Sequence, residues 1–399
     1  METSLTATSR IQAVLATDDH AEAIATFYRE TWGEAVTPDS ILAGRRRAAA
    51  DNLAEPGAVP PVAIVLDGDR VIGHYASIPY RIWDGVTESP AHWVKGLMVV
   101  PEYRNGPVGF LVVKTLTAQL PLATALVVAP AARRLLSAFG YSDLGAIPNY
   151  VRPLRPGRLA RRLDVAELAP ALPRWVSAGV GVAQRVGLAG LAGGAAGIAL
   201  DLIATATRRP AARLDIGCAS EPPSGEELDE VWERARSTIA ASPVRNGRYL
   251  RWRFGGQTSA APGGGNPYEF VTVRDGGRLV GVAVLRHPRA ISDRRLQGLR
   301  VATISDVVVP ARRADAGLAL LGGVERAARA ADADAILCTT SQRAVARLLR
   351  RQSYLRVPGN VHFLLRDGRA GGEGSAARWP RDLGSWGLGR GDGDADEVF

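Results

Sequence analysis

The stretch Trp93-Val-Lys-Gly-Leu-Met-Val-Val-Pro-Glu-Tyr-Arg104-Asn-Gly-Pro-Val-Gly109-Phe110 runs from an apolar strand, through a tight turn, into an apolar helix. A compact turn that opens a helix leaves several backbone N–H groups unpaired and aimed at one spot. With the positive end of the helix dipole they form a place for a pyrophosphate. Gly106 and Gly109 would let phosphate approach the backbone and Arg104 would add a charge-assisted donor, whereas Pro107 removes one. An ordinary helix-capping turn is the competing reading. A second group, Arg248-Tyr-Leu-Arg-Trp-Arg-Phe254, alternates arginine with aromatic residues. It suits a sugar, phosphate or nucleotide through stacking and forked hydrogen bonds, and is equally explained by arginine stems packing on a helix or edge strand. Asp392, Asp394 and Asp396 alternate like the opening of a calcium loop, but Glu397 stands where that loop needs glycine. Cys218, Cys338 and the five histidines show no ligand spacing, so neither a metal nor a redox centre is expected.

Composition narrows the classes. At 399 residues, 46% hydrophobic and 22% charged, the chain reads as globular and longer than one ordinary domain. The net charge of +9 favours anionic partners. Only Lys95 and Lys114 are lysines among 49 basic residues, an imbalance typical of GC-rich bacterial coding, so direct nucleic-acid binding is not the expectation. The first twenty residues have neither a basic start nor an apolar run, and the expected location is the bacterial cytoplasm.

The chain repeats itself. Asp67-Gly-Asp-Arg-Val-Ile-Gly73 matches Asp275-Gly-Gly-Arg-Leu-Val-Gly281, and Met98-Val-Val-Pro101 matches Val307-Val-Val-Pro310. Arg134-Leu-Leu136 with Tyr141 matches Arg347-Leu-Leu349 with Tyr354. The repeating unit reads helix, hairpin, strand, proline, helix, strand, helix, strand, over about 15–155 and 222–367. The expected domains are 1–155, with the better turn, and 222–367, with the poorer turn Arg313-Ala-Asp-Ala-Gly-Leu318. Between them, 156–221 reads as an Arg-rich then Ala/Gly-rich helical connector. Its uncharged run Val186–Leu200 spans about 22 Å as helix, too short for a bilayer core of about 30 Å. A connector helix pair is expected over 172–207, with peripheral membrane contact as the rival. The Gly/Arg/acidic tail 368–399 is expected to be mobile, with Trp379 and Trp386 as anchors for part of it.

Residues 93–116 resemble motif A of the GNAT superfamily of acyl-CoA N-acyltransferases: strand, V-x-P-E-Y-R, glycine-containing turn, helix. Ala132-Arg-Arg-Leu-Leu-Ser-Ala-Phe-Gly-Tyr141-Ser-Asp-Leu-Gly145 resembles the family's helix followed by a GF-x-x-x-G turn. The resemblance covers nearly all of the first copy. It implies an α/β (α+β) fold of two tandem GNAT-like domains, each a twisted mixed sheet flanked by helices. It implies acyl-CoA held by Met98, Val99 and Val100 on the strand and by Arg104, Asn105, Gly106, Val108, Gly109 and Phe110 at the turn.

Transfer of an acyl group to an amine needs an oxyanion donor, a base and often an acid. By the resemblance, Met98 to Val100 supply the donor. The first copy has no carboxylate base on that strand, where Lys95, His92 and Glu102 are the nearby titratable groups. The second copy has Asp306, which is also explained as the partner of a neighbouring arginine. The family's tyrosine acid is missing from both copies; Tyr141 occupies the next aromatic position, where packing is the usual role. The candidate catalytic set is therefore Asp306, Lys95 and Tyr141. The resemblance implies an acetyl-CoA-dependent N-acyltransferase acting on an amine-bearing acceptor, an amino sugar of cell-surface polysaccharide being the specific expectation. The alternatives are a peptidoglycan-bridge aminoacyltransferase drawing on aminoacyl-tRNA and a non-catalytic binding module.

Overall fold

The computed structural model describes residues 11–127, 129–162, 214–255, 266–290, 298–369 and 378–393. The expected connector helices over 172–207, and Asp394 and Asp396, lie outside the described residues.

In chain order the elements are β1 (Ile11–Leu15), α1 (Ala21–Trp32), α2 (Pro38–Ala50), β2 (Val62–Asp67), β3 (Arg70–Trp83), β4 (Glu88–Val99), α3 (Val108–Thr117), β5 (Leu122–Val127), α4 (Pro130–Ala138), β6 (Ser142–Ala146), β7 (Asn149–Pro153) and α5 (Pro156–Arg162). There follow β8 (Leu214–Ala219), α6 (Gly225–Arg236), the two-residue β9 (Ser242–Pro243), α7 (Gly247–Phe254), β10 (Tyr268–Asp275), β11 (Arg278–Ala290), β12 (Arg300–Val308), α8 (Ala314–Ala330), β13 (Ala335–Thr339), α9 (Arg343–Arg351), β14 (Leu355–Val357) and β15 (His362–Asp367).

Local chemistry accounts for many boundaries. Thr37 caps α2 by accepting from the Ser40 N–H, with Pro38 in the first turn, where its missing N–H costs nothing. Ser224 and Glu227 form a capping box at α6. Both Asp-Gly hairpins form as expected, closing Asp67 on Arg70 and Asp275 on Arg278. Gly276 and Gly277 both take the positive φ of a type I′ turn.

The chain divides into two compact units, residues 1–145 with 361–381 and residues 146–360 with 382–399. Unit 1 holds a mixed sheet in the order β1-β2-β3-β4-β5-β15-β6, unit 2 one in the order β14-β7-β13-β12-β11-β10-β8. Both match the expected fold of twisted mixed sheets flanked by helices, but each unit is discontinuous in sequence. The final strand of the first repeat, β7, lies in the sheet of unit 2, and the final strand of the second, β15, lies in that of unit 1. Ile147-Pro148 joins β6 to β7 without a residue at positive φ, so the chain does not reverse into a two-residue hairpin there.

Packing is equivalent in the two cores. In unit 1, Val108, Val112, Val113 and Leu116 of α3 are fully buried against the sheet. In unit 2, Leu320, Val324 and Ala328 of α8 are buried likewise.

The tail departs from its expected mobility over residues 378–393. Trp379 and Trp386 are buried, as are Leu388, Arg390 and Asp392. Trp379 donates from Nε1 to Asp367 in unit 1, whereas the segment after Arg381 belongs to unit 2. The polar composition misleads because Arg390 and Asp392 are buried, on the Thr339 hydroxyl and on Arg245, while Arg378, Arg381 and Asp382 stay exposed.

Candidate functional site

In unit 1 the site is built on β4. Up to Lys95 the strand pairs regularly with β3, Ala76 opposite Lys95; beyond it the register shifts, His74 opposite Met98. Gly96, at φ +63°, forms this bulge, a conformation that costs a residue with Cβ roughly 1 kcal/mol or more. On its other side β4 meets β5 only at His92–Ala123 and Trp93–Thr124, and β5 continues alongside β15. The two parallel neighbours therefore part after Trp93. The Val100 N–H is bonded to the Ile72 carbonyl, so alternation turns the N–H and carbonyl of Val99 into the opening. There the Val99 carbonyl accepts from Arg104 Nε at 3.1 Å.

The turn after the strand is tightly wound. Tyr103, Arg104 and Gly106 donate their N–H groups to Val100, Pro101 and Tyr103, and Leu111 donates to Pro107. The N–H groups of Asn105, Val108, Gly109 and Phe110 donate to no other backbone group outside the helix, and three of them are the open first donors of α3. A Cβ added at Gly109 would meet nothing nearer than 3.6 Å, so the packing of the chain itself does not demand glycine. No carboxylate among the described residues pairs with Arg104. The opening, the open donors and a guanidinium without a carboxylate partner lie along one connected segment, with Phe110 half exposed beside Phe139.

Unit 2 has the same layout in a different state. Strands β12 and β13 pair from Val301–Ala335 to Ile304–Cys338 and then separate, with a bulge in β12 at Ser305. Arg313, at the position of the turn arginine, is held by Asp315 at 2.9 and 3.0 Å and by Asp275 at 3.0 Å. Asp315 thus brings the chain's own anion to the start of α8, and its carboxyl is held below the usual range first by that hydrogen bond with Arg313. A Cβ on Gly317 would lie 2.4 Å from Leu348, so this glycine serves helix packing instead.

The catalytic candidates are divided between the two units, Lys95 and Tyr141 in unit 1 and Asp306 in unit 2. Asp306 is buried and takes Arg245 Nε on both oxygens, at 2.7 and 3.0 Å, and the Val307 N–H at 2.8 Å. It stands in unit 2 as the partner of an arginine, buried away from the solvent access that a general base needs. Tyr141 is buried in the core of unit 1, and burial raises its hydroxyl to about 12, which fits packing rather than proton donation. Lys95 is half-buried on β4 just before the bulge. His92 is buried and pushed down to about 4 by desolvation, and its Nδ1 has no hydrogen-bond partner. Glu102 is exposed and sits 4.0 Å from Arg70.

One network under the bulge escapes sequence reading. His74, nearly inaccessible, contacts the Gly96 carbonyl through Nδ1 at 3.1 Å and the Tyr28 hydroxyl through Nε2 at 3.0 Å. Burial, the largest influence, holds this imidazole down at about 4 and raises Tyr28 to about 12. The neutral ring bridges α1, β3 and the bulge of β4, and Phe27 and Trp32 pack round it. No spacing in the sequence marks these residues, because their meeting depends on the pairing of β3 with β4.

The alternating Arg/aromatic group Arg248–Phe254 lies in helix α7, with Tyr249, Leu250 and Phe254 buried. Arg253 donates to the carbonyls of Gly391 and Gly393, so it serves the chain's own tail. Asp392 is fully buried against Arg245 at 2.8 Å, and no group of three or more metal-ligating side chains occurs among the described residues. No helix among the described residues is long and apolar enough to cross a membrane. A groove of about 650 Å³ between α1 and the β2–β3 hairpin is edged by Asp19, Glu22, Glu30 and Asp69, a charge that disfavours phosphate.

Neither a protein-family model nor a curated protein matches the sequence. Solved structures do. A protein of Enterococcus faecalis V583 named as a probable N-acyltransferase superposes with a TM-score of 0.55 at 9% identity, over 90% of this chain and 73% of that one. A GCN5-related N-acetyltransferase from Anabaena variabilis ATCC 29413 gives 0.54 at 14% identity over 90% and 73%. Saccharomyces cerevisiae N-myristoyltransferase, in a structure with bound myristoyl-CoA and inhibitors, gives 0.54 at 12% over 92% and 82%. The fold is that of the GNAT-type N-acyltransferases. Both GNAT-like units carry the parted parallel strands, and each match spans about nine-tenths of the chain, covering the tandem rather than one copy.

Proposed function

We propose that the protein is an acyl-CoA-dependent N-acyltransferase whose donor site is in unit 1. The observation that carries this reading is the contrast between two equivalent turns. At Arg104–Gly109 the donors are open and the arginine has no carboxylate partner among the described residues; at Arg313–Leu318 the arginine is neutralised by Asp315 and Asp275. In this reading the N–H groups of Asn105, Val108, Gly109 and Phe110 hold the pyrophosphate, with Arg104 as a charged donor. The Val99 N–H, facing the opening of β4, takes the amide arm or the thioester oxygen. Acyl-CoA, when bound, supplies an activated acyl group.

The chain's own contribution is binding and orientation: a bulge fixed from below by His74, and a strand edge presented to the acyl end. Glu88, at the far end of β4, is paired with Arg81, and no carboxylate stands on the strand from His92 to Val99, so the acceptor amine enters neutral or gives its proton to solvent. The favoured acceptor is the amine of a small sugar-containing molecule, supported by the tandem GNAT arrangement. A short acyl group such as acetyl is the favoured donor, and a cytoplasmic location goes with it.

Titration calorimetry with acetyl-CoA and longer acyl-CoAs tests the donor site. Arg104→Ala should weaken binding about ten- to hundredfold, as expected for about 1.5–3 kcal/mol from a charged hydrogen bond. Arg313→Ala should change it little. Thiol release from the bound donor against a panel of amino sugars tests the acceptor. Binding without release to any amine would favour a non-catalytic module, and binding of aminoacyl-tRNA that falls steeply with salt would favour the aminoacyltransferase alternative.

A further inference from the structure

The opening between β12 and β13 of unit 2 is not empty of chain. The Gly391 N–H donates to the Ser305 carbonyl at 2.7 Å, on the β12 side, and the Ser341 N–H donates to the Leu388 carbonyl at 3.1 Å, just past the end of β13. Gly389 forms an antiparallel bridge with Thr340, and Trp386 a parallel bridge with Ala241. Residues 386–389 therefore run extended beside the place where the two sheet strands part, and the chain then turns over 389–392, where the Asp392 N–H donates back to the Gly389 carbonyl at 3.4 Å. The space left beside it is about 20 Å³, room for roughly one water molecule.

The sequence of this segment fits its place. Glycine recurs at 387, 389 and 391, and a Cβ there would lie 2.9 Å from Ser242 Oγ, 3.3 Å from the Ser305 carbonyl and 2.6 Å from the Phe254 ring. The alternate residues Leu388, Arg390 and Asp392 are buried. Asp392 closes the arrangement. Its Oδ2 accepts from Arg245 Nη2 at 2.8 Å and from the Gly389 N–H at 2.8 Å, and its Oδ1 from the Tyr249 hydroxyl at 3.3 Å. Arg245 holds Asp306 at the same time, so a guanidinium only 4% exposed is balanced by two carboxylates. Such a fork reads a carboxylate at one fixed position, and backbone pairing reads an extended chain.

We infer that the parted strands of unit 2 form a groove for a glycine-alternating peptide that enters extended and ends in a turn carrying an aspartate, and that its resident ligand is this chain's own Trp386–Asp392, which closes unit 2 to acyl-CoA. The closure rests on the reading of unit 1 as the acyl-CoA site, since the two openings are structurally equivalent. The peptide groove itself does not depend on it.

The test uses a chain shortened after Asp382 and a fluorescein-labelled peptide of residues 383–399. The shortened chain should bind the peptide saturably at one to one in fluorescence anisotropy, and a D392N peptide should bind at least tenfold more weakly. The intact chain should bind neither. A folded shortened chain, by far-ultraviolet circular dichroism, that takes no peptide would overturn the groove, as would an intact chain that binds as well as the shortened one. If shortening unfolds the protein, hydrogen exchange of the intact chain decides. The amides of 386–392 should be protected like those of β12, and D392N should speed their exchange at least tenfold while leaving β10 to β12 unchanged. Exchange of 386–392 at free-peptide rates in the unaltered chain would refute the inference. Two acyl-CoA molecules per intact chain would overturn the closure alone, whereas none would remove the unit 1 reading and leave the groove standing.

Discussion

Gly109 and Gly359 are required for different reasons, and substitution separates them. At Gly109 a methyl group meets ordinary van der Waals distances, 3.6 Å to Leu135 and 3.8 Å to Val99. Gly109→Ala should therefore leave stability within about 0.5 kcal/mol, or raise it through better helix propensity. Gly109→Trp should abolish acyl-CoA binding while the protein stays folded, read by calorimetry beside a thermal melt. At Gly359 a Cβ would lie 1.7 Å from the Ile147 carbonyl, where the links on either side of the β14 and β7 strands pass backbone to backbone. The backbone itself must shift there, so Gly359→Ala should cost about 1–3 kcal/mol in urea denaturation. A neutral result would mean the two links separate easily.

At the scale of elements, the exchange of final strands decides what can fold. Phe363 and Leu364 of β15 are fully buried in the sheet of unit 1, and Phe363 meets the Trp93 ring at 6.0 Å. Each such side chain contributes roughly 1.5–3 kcal/mol, and without β15 the β5 edge from Leu122 to Val127 loses its partner on that side. A chain truncated after Glu221 contains the whole first repeat yet should show no cooperative thermal transition. A melt as sharp as that of the intact protein would contradict this. The bulge in β4 is a second element-scale feature: His74 ties Gly96 to Tyr28, just beyond the point where β4 and β5 part.

For the whole molecule, acid sensitivity follows from buried imidazoles. His74 and His92 are both held near 4 in the folded protein by burial, below the ordinary 6.5. Between about pH 6.5 and 4 the unfolded chain binds more protons than the folded one, so their contribution is complete above 6.5 and is lost as pH falls through that window. Each should account for on the order of 1–3 kcal/mol. The urea midpoint should drop from pH 7.5 to pH 5, and His74→Gln should flatten part of that drop. An unchanged pH dependence in that variant would mean that other groups carry it.

Periodicity and turn chemistry belong to neighbouring residues, and that is why much of the fold was legible in one sequence. The Asp-Gly hairpins, the helices after Pro101 and Pro310, the internal repeat and the Arg104–Gly109 turn all follow from local patterns. The repeat also made the tandem arrangement visible, because two copies of one pattern imply two copies of one sheet. What the sequence could not decide were pairings between distant segments. The spacing of residues 147–153 and 358–367 does not say which sheet each final strand joins, since an extended strand satisfies any open edge of matching register. Asp306 reads equally as a base or an ion-pair partner until Arg245 is placed beside it. The tail reads as mobile because glycine and charge usually mark solvated chain, whereas residues 386–392 are largely buried. Only the parted strands of unit 2 supply the wall that the segment fits, and only the fold brings Asp392 to the Arg245 that already holds Asp306.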